Sequence, residues 1–441
     1  MDYHLKIKQE FFFEVTLPGS KSITNRALLL ASLSTDNTLL QNFLLSDDTE
    51  HMIDGLQKLG TSINISKDKK NILVIANQKR TFNKVSLYTG NAGTMLRFLS
   101  TYIGIGNGEV TLFGDKRMNE RPIYPLVQSL QTLGCKIEYL DKEGFPPIKI
   151  FSDNLYREAF FSTMTSPNEI IVDSSISSQY LTSLLLTIPI LKIPFKIRNS
   201  NRIVSRPYID MSLAMIKQFG GKITENIHDN SFSIFPSTYS LKKYIIEGDM
   251  SSASYFLAMA LISNSTIKIN NFFKTSLQGD KKFLDIFLKL GGKILSQEQY
   301  SITVQGCSQY PGINIDLNEA PDIAQTLAVV ALFATSPTTI KNVSNMRIKE
   351  TDRILALKNE INKLGGTLIE EFDNDGNEGF TIIPLHQKNY KSATIETYND
   401  HRMAMSFSLV GLRIPNIIIK DSQCVNKTFP NYFDIFEKIY R

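Results

Sequence analysis

The stretch LPGSKSITNRALLLASL, Leu17 to Leu33, sets Lys21, Ser22, Asn25 and Arg26 at the mouth of an apolar run. The first turn of a helix carries partial positive charge, so acidic side chains are the usual choice there and cations are not. Two cations, hydroxyls and free backbone N–H groups together make an anion site. Ser22 and Arg26 lie four residues apart and so share a helix face. The spacing is not the G-x-x-x-x-G-K-[ST] of a nucleotide loop. A serine cap flanked by two solvated cations explains this stretch equally well on its own. The choice between the two depends on whether the chain supplies further parts of an anion pocket.

It supplies several. In YTGNAGTMLRFLS, residues 88–100, Gly90 to Thr94 form a small-residue turn that enters an apolar helix carrying Arg97. Small residues let a ligand approach the backbone closely. GDKRMNERPIYPL, residues 114–126, puts Arg121 at a helix mouth, with Pro122 suited to the first turn. Lys116 and Arg117 in the same loop read as solvated. Ser177, Ser178 and Gln179 lead another apolar helix, and Ser205, Arg206 and Tyr208 follow. The acidic candidates come from the second half. Asp322 precedes the run IAQTLAVVALFA, while Lys349, Glu350, Asp352 and Arg353 precede a helix in RIKETDRILALKNEI. An exposed helix with i,i+3 and i,i+4 charge pairs is the alternative for the latter. Asp400, His401 and Arg402 enter a further apolar helix, and Lys427 sits in a loop before the last one. If these starts converge, they build a strongly positive cleft that binds multiply anionic small molecules. Asp322 and Glu350 would then be the candidate proton-transfer groups.

The elements that must position these residues recur. An amphipathic segment ending in Leu-Gly or Phe-Gly, then a β-rich run, appears around Gly60, Gly134, Gly220, Gly291 and Gly365, at intervals of 71 to 86 residues. Each reads as a helix with a left-handed glycine cap followed by a strand. That interval is too long for a solenoid and suits a unit of several strands and two helices. The amphipathic segment NYFDIFEKIYR stands where a sixth unit would close, and six units over 441 residues give three in each of two domains. IEGDMSSASYFLAMALI, residues 246–262, mirrors the Leu17 stretch. The crossings are therefore expected near residues 18 and 248, with domains 18–247 and 1–17 plus 248–441. The strand EFFFEVTLP would then belong with the C-terminal half.

Composition narrows the class. Hydrophobic residues make up 42% and charged residues 21%, with a net charge of +5 spread along the chain rather than massed in runs. No apolar run reaches a membrane span, and the N-terminus lacks signal-peptide order. Cys135, Cys307 and Cys424 are far apart, and no metal-ligand spacing is readable. A reducing cytoplasm is the expected compartment.

LPGSKSITNR, GNAGTMLR, ERPI, SSQY, SRPYID, GDMSSASYF, PDIAQTLAVVALFA, RIKETDR, NDHRMAMSFSL and KTFPNYF occur in this order over nearly the whole chain. Together they closely resemble the 5-enolpyruvylshikimate-3-phosphate synthases, the 3-phosphoshikimate 1-carboxyvinyltransferases. The resemblance implies an α/β enolpyruvyl transferase fold: two similar domains, each of three βαβαββ repeats, helices inside, sheets outside, and the active site in the cleft between them. It implies transfer of the enolpyruvyl group of phosphoenolpyruvate to the 5-hydroxyl of shikimate 3-phosphate, with no cofactor and no metal. The expected partners are these small molecules, with no nucleic acid and no membrane, and the expected state is a monomer. By motif match, shikimate 3-phosphate falls to Lys21, Ser22, Arg26, Ser177, Ser178, Gln179, Ser205, Asp322, Asn345 and Lys349. Phosphoenolpyruvate falls to Lys21, Asn91, Gly93, Arg121, Gln179, Arg353, Arg402 and Lys427. Lys21, Asp322 and Glu350 are the implied catalytic residues.

Phe98 follows Arg97 where the enteric and plant forms carry a proline, and it is expected behind Gly93, away from ligand. The related UDP-N-acetylglucosamine enolpyruvyl transferases carry a reactive cysteine in the loop that here reads GDKRMNERP, without one. A nucleic-acid binder would interleave its basic residues with aromatics, which this chain does not do.

Overall fold

The computed structural model describes residues 1–75, 79–153, 168–373 and 376–441. Its most regular local feature is the one the sequence period announces. The helices Asp47–Lys58, Tyr124–Gln131, Pro207–Gln218, Lys282–Lys289 and Arg353–Lys363 each run into a glycine at positive φ, between 79° and 94°. At each end the glycine N–H bonds back three residues and the next N–H bonds back five, as in Gly60 to Gln57 and Thr61 to Leu56. This is the Schellman motif, which satisfies the last helical carbonyls and needs a residue without a Cβ in the left-handed conformation. A strand follows every time: Ser62–Ile65, Lys136–Tyr139, Lys222–Asn226, Lys293–Gln297 and Thr367–Phe372.

Five four-stranded sheets share one plan. In the sheet built from Thr81–Tyr88, Asn107–Phe113, Ile148–Ser152 and Lys136–Tyr139, in that spatial order, the first pair is parallel and the others antiparallel. The parallel pair is bridged by a helix, Gly93–Gly104, and a second helix, Tyr124–Gln131, leads to the antiparallel strands. That is a βαβαββ repeat. The sixth repeat is abbreviated: Thr394–Ile395 pairs in parallel with Ile418–Ile419, and the N-terminal Tyr3–His4 occupies the place of the antiparallel partner.

Two compact units result, Gly19–Ile246 and Met1–Pro18 with Glu247–Arg441. The chain exchanges strands to make them. Phe12–Thr16 is the first strand of the fourth repeat, parallel to Thr266–Asn270, so EFFFEV does pair with C-terminal segments. Lys243–Ile245 is the first strand of the first repeat, parallel to Thr38–Gln41. Each unit has its own hydrophobic core.

The first helix of each repeat lies in that core. Nearly all of Lys21–Ser32, Gly93–Gly104 and Gln179–Thr187 is buried in one unit, and all of Met250–Ser263, Ala324–Ala331 and His401–Ser408 in the other. A helix apolar on every side has no solvated face to turn outward. Full burial of each Leu, Ile or Phe is worth roughly 1.5–3 kcal/mol. The sheets are half-exposed instead, as the alternating burial of Phe12–Thr16 shows. Each unit therefore has helices inside and strands outside. Among the described residues, no helix is long and apolar enough to cross a membrane.

Candidate active site

The plan of the repeat dictates where chemistry can sit. Both helices of a repeat follow directly on a parallel strand, so both N-termini emerge at the carboxyl edge of the sheet, where open α/β sheets bind their ligands. The sequence candidates occupy these starts in five of the six repeats.

In the unit Gly19–Ile246, Lys21 opens the first buried helix, and the side chain of the N-cap residue Ser20 makes no capping hydrogen bond. Lys21 Nζ lies 3.0 Å from Oδ2 of the buried Asp48, at the start of the next helix. Arg26, 1% exposed, donates from Nε to Ser212 Oγ (2.8 Å) and from Nη1 to the Ser22 carbonyl (2.9 Å). Its guanidinium faces the rings of Phe98 and Tyr208, at 5.4 and 5.7 Å from their centroids. Burial lowers its pKa to about 10, which leaves it cationic at neutral pH. Phe98 is fully buried and packs on Arg26.

Asn91 and Arg121 meet directly: Arg121 Nη1 donates to Asn91 Oδ1 (2.9 Å) and to its carbonyl (3.2 Å). Gly93 leaves room for two guanidiniums: a Cβ there would stand 2.6 Å from Arg121 Nη2 and 3.0 Å from Arg97 Nη1. Arg97 is buried and donates to the Pro122 carbonyl (3.0 Å), so it holds the Arg121 turn. Burial, then the charge of Arg121, lowers its pKa to about 10. Pro122 does not start the helix as its sequence position suggests. The helix begins at Tyr124 with Pro125 in its first turn, and the Pro122 carbonyl serves Arg97 and Tyr180 instead. Ser177 accepts from the Gln179 N–H (3.3 Å) ahead of the helix Gln179–Thr187. Ser205 is buried at a φ of 54° just before Pro207–Gln218. Arg206 is committed to Glu225 through both terminal nitrogens (2.6 Å each) and to Asp210 (2.7 Å).

In the other unit the acidic and basic candidates form one network centred on Arg353. Its side chain is 1% exposed, and it donates to Asp400 (2.7 Å), Asp322 (2.9 Å) and Glu350 (2.6 Å). The Glu350–Arg353 pair is i,i+3, as the exposed-helix reading expected, but it is buried. Asp322 also receives Arg402 Nη2 at 3.1 Å and faces Lys349 Nζ at 3.6 Å. Lys427 Nζ stands 4.0 Å from Glu350. Burial pushes the Asp322 carboxyl up, but Arg402, Lys349 and Arg353 outweigh it and hold the group well below the usual carboxylate range. For Arg353 burial works against the charge, while Asp400, Glu350 and Asp322 raise its pKa above the ordinary value. Asn345 lies in the turn Ser344–Ile348, and its buried Oδ1 has no hydrogen-bond partner among the described residues.

Sequence reading missed three participants. Asp48 is one of three acids in the first turn of its helix, and Arg97 lies inside an apolar helix. Asp280, buried beside Ser251, lies in a repeat from which no candidate had been drawn.

Comparison with known proteins adds the following. The model of the EPSP synthase family (3-phosphoshikimate 1-carboxyvinyltransferase) matches residues 6–436. A 3-phosphoshikimate 1-carboxyvinyltransferase of Haemophilus ducreyi is 44% identical over 434 residues, covering 97% of this chain and 96% of the relative. One of Sulfurovum sp. is 42% identical, with the same coverage. The solved structure of an EPSP synthase from Acinetobacter baumannii superposes with a TM-score of 0.76 at 20% identity, over 99% of this chain and 98% of that one.

Proposed function

The chain belongs to the EPSP synthase family, and we propose that the helix starts just described carry that family's reaction. The enolpyruvyl group of phosphoenolpyruvate passes to the 5-hydroxyl of shikimate 3-phosphate, and phosphate is released. The hydroxyl oxygen bonds to C2 of the enol while C3 gains a proton. The resulting tetrahedral intermediate then loses phosphate from C2 and a proton from the C3 methyl group.

From the unit Gly19–Ile246, Lys21, Asn91, Gly93, Arg121 and Gln179 serve phosphoenolpyruvate in this reading. Lys21, Ser22, Arg26, Ser177, Ser178, Gln179 and Ser205 serve shikimate 3-phosphate. The other unit supplies Arg353, Arg402 and Lys427 to the donor, and Asp322, Asn345 and Lys349 to the acceptor. Lys21 belongs to both sets because an ammonium between two anions offsets their repulsion. Arg26 has three of its donors committed within its own unit, so it serves ligand with the remaining N–H groups and holds Ser22 in place. Cys135, Cys307 and Cys424 form no disulfide among the described residues, which suits a reducing cytoplasm.

The observation that carries the catalytic assignment is the sharing of Arg353 between Asp322 and Glu350. With its cations engaged, Asp322 is too weak a base to take a hydroxyl proton. A carboxylate and a phosphate arriving on Arg353, Arg402 and Lys427 compete for those cations and raise the basicity of both side chains. Substrate binding thus switches on the proton-transfer pair, Asp322 at the 5-hydroxyl and Glu350 at C3. The same carboxylates stabilise positive charge developing at C2. The test is phosphate release from phosphoenolpyruvate with shikimate 3-phosphate as acceptor, run on wild type and on Lys21→Met. Release by wild type alone, from a variant with native circular dichroism, is the expected result. A folded variant at near wild-type rate removes Lys21 from the site.

A further inference from the structure

The fourth repeat is the one from which no candidate site residue came, yet its two helices start at the same edge of the same plan. Met250–Ser263 is its first helix and Lys282–Lys289 its second, preceded by the turn Gly279–Lys281. At the first start stands Ser251, the counterpart of Ser22 in the matching sequences GSKSITNR and GDMSSASY. At the second stands Asp280, 3% exposed.

These two side chains are tied to the arginine–carboxylate network. Arg402 Nη2 donates to Ser251 Oγ at 3.2 Å, and Ser251 Oγ donates in turn to Asp280 Oδ2. The same Arg402 nitrogen lies 3.1 Å from Asp322 Oδ2, and Arg402 Nη1 donates to the Asp322 carbonyl at 3.2 Å. The order of donors matters. A serine hydroxyl that accepts from a guanidinium has its own proton free, and here the carboxylate takes it. Asp280 thereby fixes which way the hydroxyl points, and the hydroxyl fixes one edge of the guanidinium. Asp280 is not needed to cap the helix that Ser251 opens, since Asp249 caps Met250–Ser263 by accepting from the Ser252 N–H at 2.7 Å. A buried carboxylate near Asp322 and Asp249 is costly to keep, and its second oxygen, Oδ1, has no hydrogen-bond partner among the described residues.

We propose that Ser251 and Asp280 are positioning residues of the enolpyruvyl transfer: a hydroxyl–carboxylate pair that aims the guanidinium of Arg402 at the carboxylate of phosphoenolpyruvate. The inference rests on the reading of Arg402 as a donor-binding residue. It gives the fourth repeat the role that the other five already have, a contribution from its helix starts.

The test is steady-state kinetics of Ser251→Ala, Asp280→Asn, Asp280→Ala, the Ser251→Ala/Asp280→Ala pair and Arg402→Ala. Loss of one hydrogen bond to a charged group changes affinity about tenfold. Ser251→Ala and Asp280→Ala should each raise KM for phosphoenolpyruvate by about that factor, with KM for shikimate 3-phosphate unchanged. The double variant should be no worse than either single one, because both act through the same hydrogen-bond chain. Asp280→Asn keeps an oxygen for Ser251 to donate to and should recover most of the loss. A merely structural role would lower the melting temperature without this split between substrates. If Arg402→Ala raises KM for phosphoenolpyruvate while Ser251→Ala and both Asp280 variants leave it unchanged, the inference fails and the donor-site reading stands. If Arg402→Ala itself leaves that KM unchanged, the donor-site reading fails, and the inference with it.

Discussion

The two units share a repeat but finish their first buried helices differently. In Gly19–Ile246 the first buried helices begin at Lys21, Gly93 and Gln179, and none has a side-chain cap. Cations are frequent there, namely Lys21, Arg26, Arg97 and Arg121, and Lys21 pairs with the carboxylate of Asp48. In the other unit two of the three matching helices are capped, with Asp249 and Asp400 accepting from the Ser252 and Arg402 N–H groups, while Ala324–Ala331 has no side-chain cap. There the cations Lys349, Arg353, Arg402 and Lys427 stand against Asp322, Glu350 and Asp400. An open helix terminus beside unbalanced cations is built to receive an anion. A closed terminus with balanced charges holds its cations until a stronger anion competes for them. On the function proposed above, one plan serves once for binding and once for proton transfer.

The comparison breaks first at the carboxylates. Asp322→Asn and Glu350→Gln should each lower kcat by about 10²–10⁴, the usual contribution of a general acid or base. KM should move much less. Equal damage to KM with kcat preserved would turn this unit into a second binding surface and erase the contrast. Lys21→Met, in the unit finished for binding, should instead damage the use of both substrates.

A second prediction concerns pH. Burial, then the negative charge of Asp322, pushes the Asp280 carboxyl up to about 6, against the opposing pull of Arg402. Its unfolded value is lower, so the folded protein binds more protons between the two values, and stability falls as pH rises through that window. Asp280→Asn removes that cost. The variant should be more stable than wild type at pH 7–8, by about 3 kcal/mol at most, and the gain should vanish toward pH 4. Asp322 has the opposite sign: its lowered pKa stabilises the fold at neutral pH, and that contribution is lost on acidification. Unfolding midpoints of wild type and Asp280→Asn from pH 4 to 8 decide it. A gain independent of pH would show that Asp280 does not titrate there.

Gly93 probes the binding side. Gly93→Ala places a methyl 2.6 Å from Arg121 Nη2 and must displace that guanidinium. KM for phosphoenolpyruvate should rise by about tenfold, one charged hydrogen bond's worth, while the fold persists. An unchanged KM would mean that Arg121 has room to move without loss.

Much of this was legible in the chain because its signals are local. A Schellman glycine is written within six residues, and the five positive-φ glycines lie where the period put them. The pairing of Phe12–Thr16 with the C-terminal half followed from the matching helix starts at Leu17 and Ile246. The partnerships were not legible, because they join distant residues. Nothing at Asp48 distinguishes it from the neighbouring first-turn acids Asp47 and Glu50, yet its carboxylate meets Lys21. Ser251 reads as part of a cap, and the cap is Asp249 acting on Ser252. Pro122 and Pro125 both fit a helix start, and only packing against Arg97 and Tyr180 separates them. Asn42, Asn271 and Asn342 each leave a second strand in the left-handed conformation, a recurrence too sparse to see in the sequence.

The smallest effect is the sharpest probe of the contrast, since it compares the same position in both units. Ser20 and Asp249 are the N-cap residues of Lys21–Ser32 and Met250–Ser263. Asp249 accepts the Ser252 N–H, whereas the Ser20 side chain makes no capping bond and its buried Oγ has no partner among the described residues. Removing a working cap costs about 0.5–2 kcal/mol. Asp249→Ala should therefore lower the urea midpoint, and Asp249→Ser, which can resume the cap, should restore most of it. Ser20→Ala removes no hydrogen bond and should shift stability by less than about 0.5 kcal/mol. An uncapped terminus offers an anion its N–H groups, which Ser20→Ala leaves in place. Protection against urea by inorganic phosphate should thus survive in Ser20→Ala and in Asp249→Ala alike, while Lys21→Met loses it. Equal destabilisation by Ser20→Ala and Asp249→Ala would mean that both termini are closed, and the division between an anion-receiving unit and a proton-transferring one would lose its structural basis.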